Sequence, residues 1–242
     1  MTYYDYEKGL QRINTILNQN INREKRKWIP PETQMTYSNG YTMWVSSIFI
    51  DIRDSTSLFA NNDRDMVTRI IKSFVSEVIE VLISDDVDEV GIRGDCVYGI
   101  YSTPNLDKFY EVFNKAIYIN TLMRLLNGQY MKKGYPTLKV GIGLSSSIDL
   151  VVKVGRKGSG VNDRVWIGKA VSEASNLSKY GNKGNCLPIV MSETVHRNIL
   201  NYDRNDCKKE WFRQLKTEDG IVYHCDIVNK GFSDWIDRNA RP

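Results

Sequence analysis

Val45-Ser46-Ser47-Ile48-Phe49-Ile50-Asp51-Ile52-Arg53-Asp54-Ser55-Thr56 is the stretch around which this chain is organised. β-capable and apolar residues run from Val45 to Ile50, the pattern of a buried strand. An acid, Asp51, stands where the apolar run ends, and a carboxylate at a strand end faces water or a ligand. Ser55 and Thr56 then favour a turn and a helix start, which leaves backbone N–H groups free. Such N–H groups suit an anion. A carboxylate beside an anion-binding turn points to a divalent cation held between protein and phosphates. A plain strand end followed by a capped helix has the same local pattern, so the rest of the chain must decide.

Working outward, residues 63–84 place Met66, Ile70, Phe74, Val78 and Leu82 on one helical face. Two short β-rich runs follow, 87–93 and 96–101, separated only by Gly94-Asp95, the spacing of a tight hairpin. A second amphipathic pattern covers 106–126 and is broken by Gly134-Tyr135-Pro136, after which 138–144 reads as a strand. The order is βαββαβ, an α+β ferredoxin-like split arrangement. In that layout the first and third strands are neighbours, and the hairpin turn lies near the end of the first. Asp51 and Asp95 then converge as a hard-metal pair. The competing reading makes Asp95 an ordinary turn residue.

The chain has 242 residues, enough for one large domain or two small ones. We read 1–40 as a helical appendage with a basic surface and a turn at Asn39-Gly40, 41–230 as the main domain, and 231–242 as a peripheral tail. Past residue 144, the runs 149–155 and 164–167 read as extended and flank the basic, flexible 156–160; a helix over 168–177 is ended by Gly181. A strand over 187–191, a capped helix over 192–200 and a last strand over 220–228 complete the pattern. No apolar run is long enough to span a bilayer, and the first residues lack a signal-peptide pattern, so we expect a cytoplasmic protein with no direct membrane contact. Four scattered cysteines without C-x-x-C spacing argue against zinc, and two histidines, His196 and His224, make histidine-based chemistry improbable. We expect both histidines to be structural, Cys96 to be a small hairpin residue, and Asp54 to cap the turn after Asp51. A net charge of +4 suits a small anion and gives no basic stripe for nucleic acid.

Four segments in order, Phe49-Ile50-Asp51-Ile52, Arg93-Gly94-Asp95, Val140-Gly141-Ile142-Gly143 and Gly168-Lys169-Ala170-Val171-Ser172-Glu173-Ala174-Ser175-Asn176-Leu177, resemble the motifs of class III nucleotidyl cyclases. The likeness covers about residues 43–195, and the family's fold agrees with the one read from periodicity. It implies that Asp51, Asp95 and the carbonyl of Ile52 bind two divalent ions, Mn2+ or Mg2+. It also implies that the N–H groups from Arg53 to Thr56, including that of Ser55, cradle phosphates, with Phe49 at the base or sugar side. The reaction would be attack of the ribose 3′-oxygen on the α-phosphorus. The family's sites form between two subunits, which implies a homodimer with composite sites, the 149–167 extension gripping the partner.

The departures are as informative. Ser172 stands where the family has its transition-state Asn, and Asn176 where it has its Arg. Another cation must then meet the developing charge, and Arg93, Lys153, Arg156, Arg164 and Lys169 are candidates, Arg93 and Lys169 foremost. The family's purine-reading positions hold Gly91 and Val165, which have no side-chain hydrogen bonds to offer. A stand-alone domain with these changes is similar to the pyrimidine cyclases of the bacterial Pycsar antiphage system, which make cyclic CMP or cyclic UMP for a separate effector. Uridylate-making members tend to carry Tyr at the Phe49 position, which tilts the expectation towards CTP over UTP. An ordinary adenylate or guanylate cyclase and an inactive nucleotide-binding dimerisation module of the same fold are the alternatives.

Overall fold

The structure is a computed structural model describing residues 3–156, 158–202, 209–218 and 220–240. Its centre is a pair of long antiparallel strands, β2 (Asn39–Ile52) and β5 (Val140–Gly155), registered from Gly40 opposite Val152 to Ile52 opposite Val140. On the other side of β2 lies β4 (Cys96–Ser102), and beyond it β3 (Glu89–Arg93). Among the described residues the main path runs β3-β4-β2-β5-β7-β9-β8, with β7 at Ile189–Ser192, β8 at Arg213–Thr217 and β9 at Gly220–Cys225. β1 (Asn22–Lys25) joins β2 in parallel, and β6 (Asn162–Ile167) joins the far half of β5. The βαββαβ core expected from sequence is present, and the fold is α+β.

Alternation along β2 sets the layers. Ile48, Ile50 and Ile52 enter the main core with Ile70, Phe74, Val78 and Leu82 of α3 (Arg64–Leu82) and Phe109, Val112, Phe113 and Ala116 of α4 (Leu106–Lys132). Residues of the other parity, among them Tyr41, Met43 and Val45, share a second cluster with Ala170 at the start of α5 (Lys169–Ser178). That helix lies on the face bearing Phe49 and Asp51. A short helix, α2 (Ser55–Asn61), follows the end of β2.

Several boundaries differ from the sequence reading. Asn39-Gly40 is not a turn; β2 begins there, and Gly40 packs under Leu150 and Val152. The runs 138–144 and 149–155 are one strand, because the serines between them stay in the ladder: Ser146 Oγ donates to the carbonyl of Val45 at 3.1 Å. The helix read over 106–126 continues to Lys132, and the strand read over 220–228 ends at Cys225. After β7 comes α6 (Glu193–Asn201), and the stretch read as a peripheral tail contains α7 (Lys230–Asn239), whose Ile236 is buried. The Asn229 N–H at its start donates to Thr121 of α4 at 2.8 Å. At the other end, α1 (Tyr6–Leu17) buries only Gly9.

Candidate active site

The β3–β4 hairpin turns through Gly94-Asp95, with Gly94 in the left-handed region at φ +64° and Arg93 paired with Cys96. Cys96 is in turn the cross-strand partner of Asp51 on β2. The turn therefore places Asp95 beside the end of β2, within electrostatic reach of the Asp51 carboxyl. Burial holds the Asp51 carboxyl above the ordinary carboxylate range; Arg53 lowers it, the charge of Asp95 raises it, and Lys179 lowers it again. The Cys96 thiol between them is pushed up to about 12 by burial, then by Asp51 and Asp95. That agrees with its expected role as an inert hairpin residue.

Arg53 closes the site from the strand end. Its Nη2 donates to Asp51 Oδ2, and its Nη1 donates to the carbonyl of Lys179, just past α5, at 2.7 Å. The Arg53 N–H is already taken by the carbonyl of Lys139 at 2.8 Å, so it is unavailable to a phosphate. The open donors of that turn are those of Asp54, Ser55 and Thr56 at the start of α2, where helix geometry leaves N–H groups without intrahelical acceptors. Asp54 does not cap this helix with its side chain, contrary to expectation; it bends the chain at φ +56° and ψ 29°. Its αL conformation is one that Asp tolerates.

Phe49 is buried at 6% exposure, stacked on Tyr98 with ring centroids 5.0 Å apart. Tyr98 covers Gly91, where a Cβ would lie 2.4 Å from the phenol ring. The tyrosine thus fills the space that a side chain at position 91 would need. Its hydroxyl donates to Glu89 at 3.0 Å, and Trp166 Nε1 of β6 donates to the same carboxylate at 2.9 Å. Arg164 adds an N–H to the carbonyl of Asp88 at 2.8 Å and an ion pair to Glu89 at 3.9 Å. Sequence reading missed Glu89, Tyr98 and Trp166, because none belongs to a spaced motif and their meeting depends on β6 reaching across to β3.

The third motif has a packing cause. A Cβ on Gly141 would lie 1.9 Å from the carbonyl oxygen of Ser178, and one on Gly143 2.1 Å from that of Ala174. The two glycines let α5 rest directly on β5. Its C-terminal end reaches Arg53 and Asp51, while Lys169 and Ser172 lie towards the other end of a helix about 15 Å long. Within one chain, then, Lys169 and Ser172 stand at the end of α5 away from the carboxylate pair, and Asn176 stands in its last turn, nearer to it. A shallow cleft along the helix is lined by Lys169, Ser172, Glu173 and Asn176. Two candidate cations have other work: Arg164 is held as described, and Lys153 pairs with Glu32 at 3.6 Å. Arg93 and Lys169 are exposed. His196 stacks on Tyr223 with centroids 3.7 Å apart, and His224 Nδ1 accepts from the Leu187 N–H at 3.1 Å, so both serve structure.

No helix among the described residues is long and apolar enough to cross a membrane. The sequence profile described as "Adenylate and Guanylate cyclase catalytic domain" matches residues 38–222. A protein named "Uridylate cyclase" from Treponema porcinum is 46% identical over 97% of this chain and 82% of its own. Another of that name, from Gulbenkiania mobilis, is 29% identical over 98% of this chain and 97% of its own. The crystal structure of the adenylyl cyclase CyaB from P. aeruginosa superposes with a TM-score of 0.65 at 17% identity, covering 79% of this chain and 97% of that one. The profile match over most of the sequence and the 46% identical relative show the family: the chain belongs to the class III nucleotidyl cyclases, the family of the adenylate and guanylate cyclase catalytic domain.

Proposed function

We propose that this cyclase acts on a pyrimidine nucleoside triphosphate, converting it to the 3′,5′-cyclic nucleotide and diphosphate. The observation that carries the reading is the Tyr98 ring lying over Gly91. The place from which the family reads a purine is filled by a phenol belonging to the neighbouring strand. Relatives named uridylate cyclases support the same reading and favour UTP. The absence of a hydroxyl on Phe49 favours CTP, although a phenol is present on the same face at Tyr98.

Asp51 and Asp95 fit a divalent metal site. Asp51 is half-buried, and its carboxyl is raised first by that burial and further by the charge of Asp95; such a pair gains from a cation between them. Asp51, Asp95 and the carbonyl of Ile52 would hold Mn2+ or Mg2+, two ions per site. Bound there, the ions would favour ionisation of the ribose 3′-hydroxyl and neutralise the triphosphate. The N–H groups of Asp54, Ser55 and Thr56 would take phosphate oxygens, helped by the start of α2. Arg93 and Lys169 are the exposed cations we assign to the charge that develops at the transition state.

Because Lys169 and Ser172 stand at the end of α5 away from their own chain's carboxylates, we infer a homodimer in which each α5 serves the partner's Asp51 and Asp95. The cyclic product would act on a separate effector, as a messenger in antiphage defence. Incubating the purified chain with each of the four nucleoside triphosphates and Mn2+, followed by mass spectrometry, tests the substrate. Cyclic UMP or cyclic CMP supports the reading. A purine product would make this an ordinary adenylate or guanylate cyclase, and no product from any tube would make it an inactive binding module.

A further inference from the structure

Arg53 occupies an oxygen that a metal would need. Its guanidinium donates from Nη2 to Asp51 Oδ2 and, at 3.4 Å, to the Asp51 carbonyl, and from Nη1 to the Lys179 carbonyl at 2.7 Å. The side chain is only 12% exposed, and its Nε–H is buried without an acceptor among the described residues. An arginine always carries its charge, and its fork is suited to a carboxylate. This one is held with one donor unmet, a cost that a permanent structural pair would ordinarily avoid.

We propose that Arg53 is an exchangeable counter-ion: it neutralises Asp51 while no metal is bound, and a divalent cation displaces it. The proposal rests on the metal reading of Asp51 and Asp95 given above. Cation and guanidinium compete for the same oxygen, and two positive groups side by side repel. Displacement also breaks the contact with the carbonyl beyond α5, so binding at Asp51 releases a tie between the strand end and that helix. Arg53 stands two residues before α2. Once displaced, its guanidinium remains beside the turn assigned to the phosphates, where an incoming triphosphate offers it a new anionic partner. Metal alone must break an ion pair, whereas metal with nucleotide replaces it. Each ligand therefore strengthens the other's binding.

The test is titration of the full-length chain with Mn2+ alone, followed by electron paramagnetic resonance of the free ion, for wild type, Arg53→Gln and Asp51→Asn. Arg53→Gln removes the competitor, so its Mn2+ dissociation constant falls roughly tenfold, the scale of one charge-assisted hydrogen bond. The same variant loses most of the gain in Mn2+ affinity that a non-hydrolysable UTP or CTP analogue confers on the wild type. An unchanged or weaker Mn2+ affinity in Arg53→Gln overturns the proposal, because it would make the arginine a support for the carboxylate and not its competitor. Asp51→Asn separates the two claims: if it binds Mn2+ as well as the wild type, the metal reading itself fails. Should Arg53→Gln not melt cooperatively, Arg53→Lys, which keeps a charge but loses the fork, is expected to tighten Mn2+ binding by a smaller factor. No tightening there overturns the proposal equally.

Discussion

Gly143 of β5 lies directly under the backbone of Ala174 in α5, so close that a single added methyl would sit 2.1 Å from the Ala174 carbonyl oxygen and 2.3 Å from the Ser178 nitrogen. Neither neighbour is a flexible side chain. Gly143→Ala must therefore lift the helix from the sheet, and overpacking of this kind costs about 1–3 kcal/mol. We expect a melting temperature several degrees lower, and a larger proportional loss of cyclase activity, because α5 presents Lys169, Ser172 and Asn176. Circular dichroism melts beside a product assay check it. A variant that keeps both stability and turnover would show that α5 need not lie so close.

What the sequence carried and what it did not divide along physical lines. The βαββαβ order was legible because each element repeats its own period: alternation through Ile48 and Ile50, helical spacing through Ile70, Phe74 and Val78. The placing of Asp95 beside the strand end that carries Asp51 was legible in the topology, since a two-residue hairpin beside a central strand leaves little freedom. The join of two runs into β5 was hidden because Ser145-Ser146-Ser147 is polar, yet Ser145 and Ser146 are buried, Ser145 bonded to Glu173 of α5 and Ser146 to Ser46 and the Val45 carbonyl across the sheet. α2 was hidden by its length, seven residues, too short for an apolar period to register. The Glu89 cluster was hidden because it joins residues from β3, β4 and β6 that no local spacing connects. Arg53 was read for its backbone, and only the folded chain shows its side chain on Asp51.

Glu89 gathers Tyr98, Trp166 and Arg164, and so ties the strand that leads into α5 to the hairpin that bears Asp95. Replacing it by Ala leaves the Trp166 indole N–H and the Tyr98 hydroxyl without their acceptor. We expect a loss of stability on the order of 1–3 kcal/mol for these part-buried donors. Glu89→Gln, which keeps one oxygen for the Trp166 indole N–H and offers its amide N–H to the Tyr98 hydroxyl as acceptor, is expected to recover part of it. Urea denaturation of the three proteins measures the difference; equal midpoints for Ala and Glu would mean that the cluster holds nothing in place.

Burial lowers the basicity of both histidines, His224 and His196, below the ordinary imidazole value, with Arg213 and Lys209 respectively lowering it further. A group with a depressed folded pKa binds fewer protons folded than unfolded. Its contribution is complete above the unfolded value of about 6.5 and is lost as pH falls towards the folded one. For His224 protonation also ends the hydrogen bond from Leu187, since Nδ1 then becomes a donor. The melting temperature should fall from pH 7.5 to pH 5, and His224→Gln, which retains an acceptor and does not titrate, should show a shallower slope. Parallel slopes for wild type and variant would remove His224 from the account.

The most direct test is replacement of each acid at the hairpin, Asp51→Asn and Asp95→Asn, with cyclisation of UTP and CTP measured under saturating Mn2+. Both variants retain shape and remove charge. Cyclic nucleotide formation should drop at least about a hundredfold in each, on the scale of losing a group that stabilises transition-state charge, while the fold still melts cooperatively. Undiminished formation of cyclic nucleotide by either variant would contradict the assignment of Asp51 and Asp95 as the metal-binding pair.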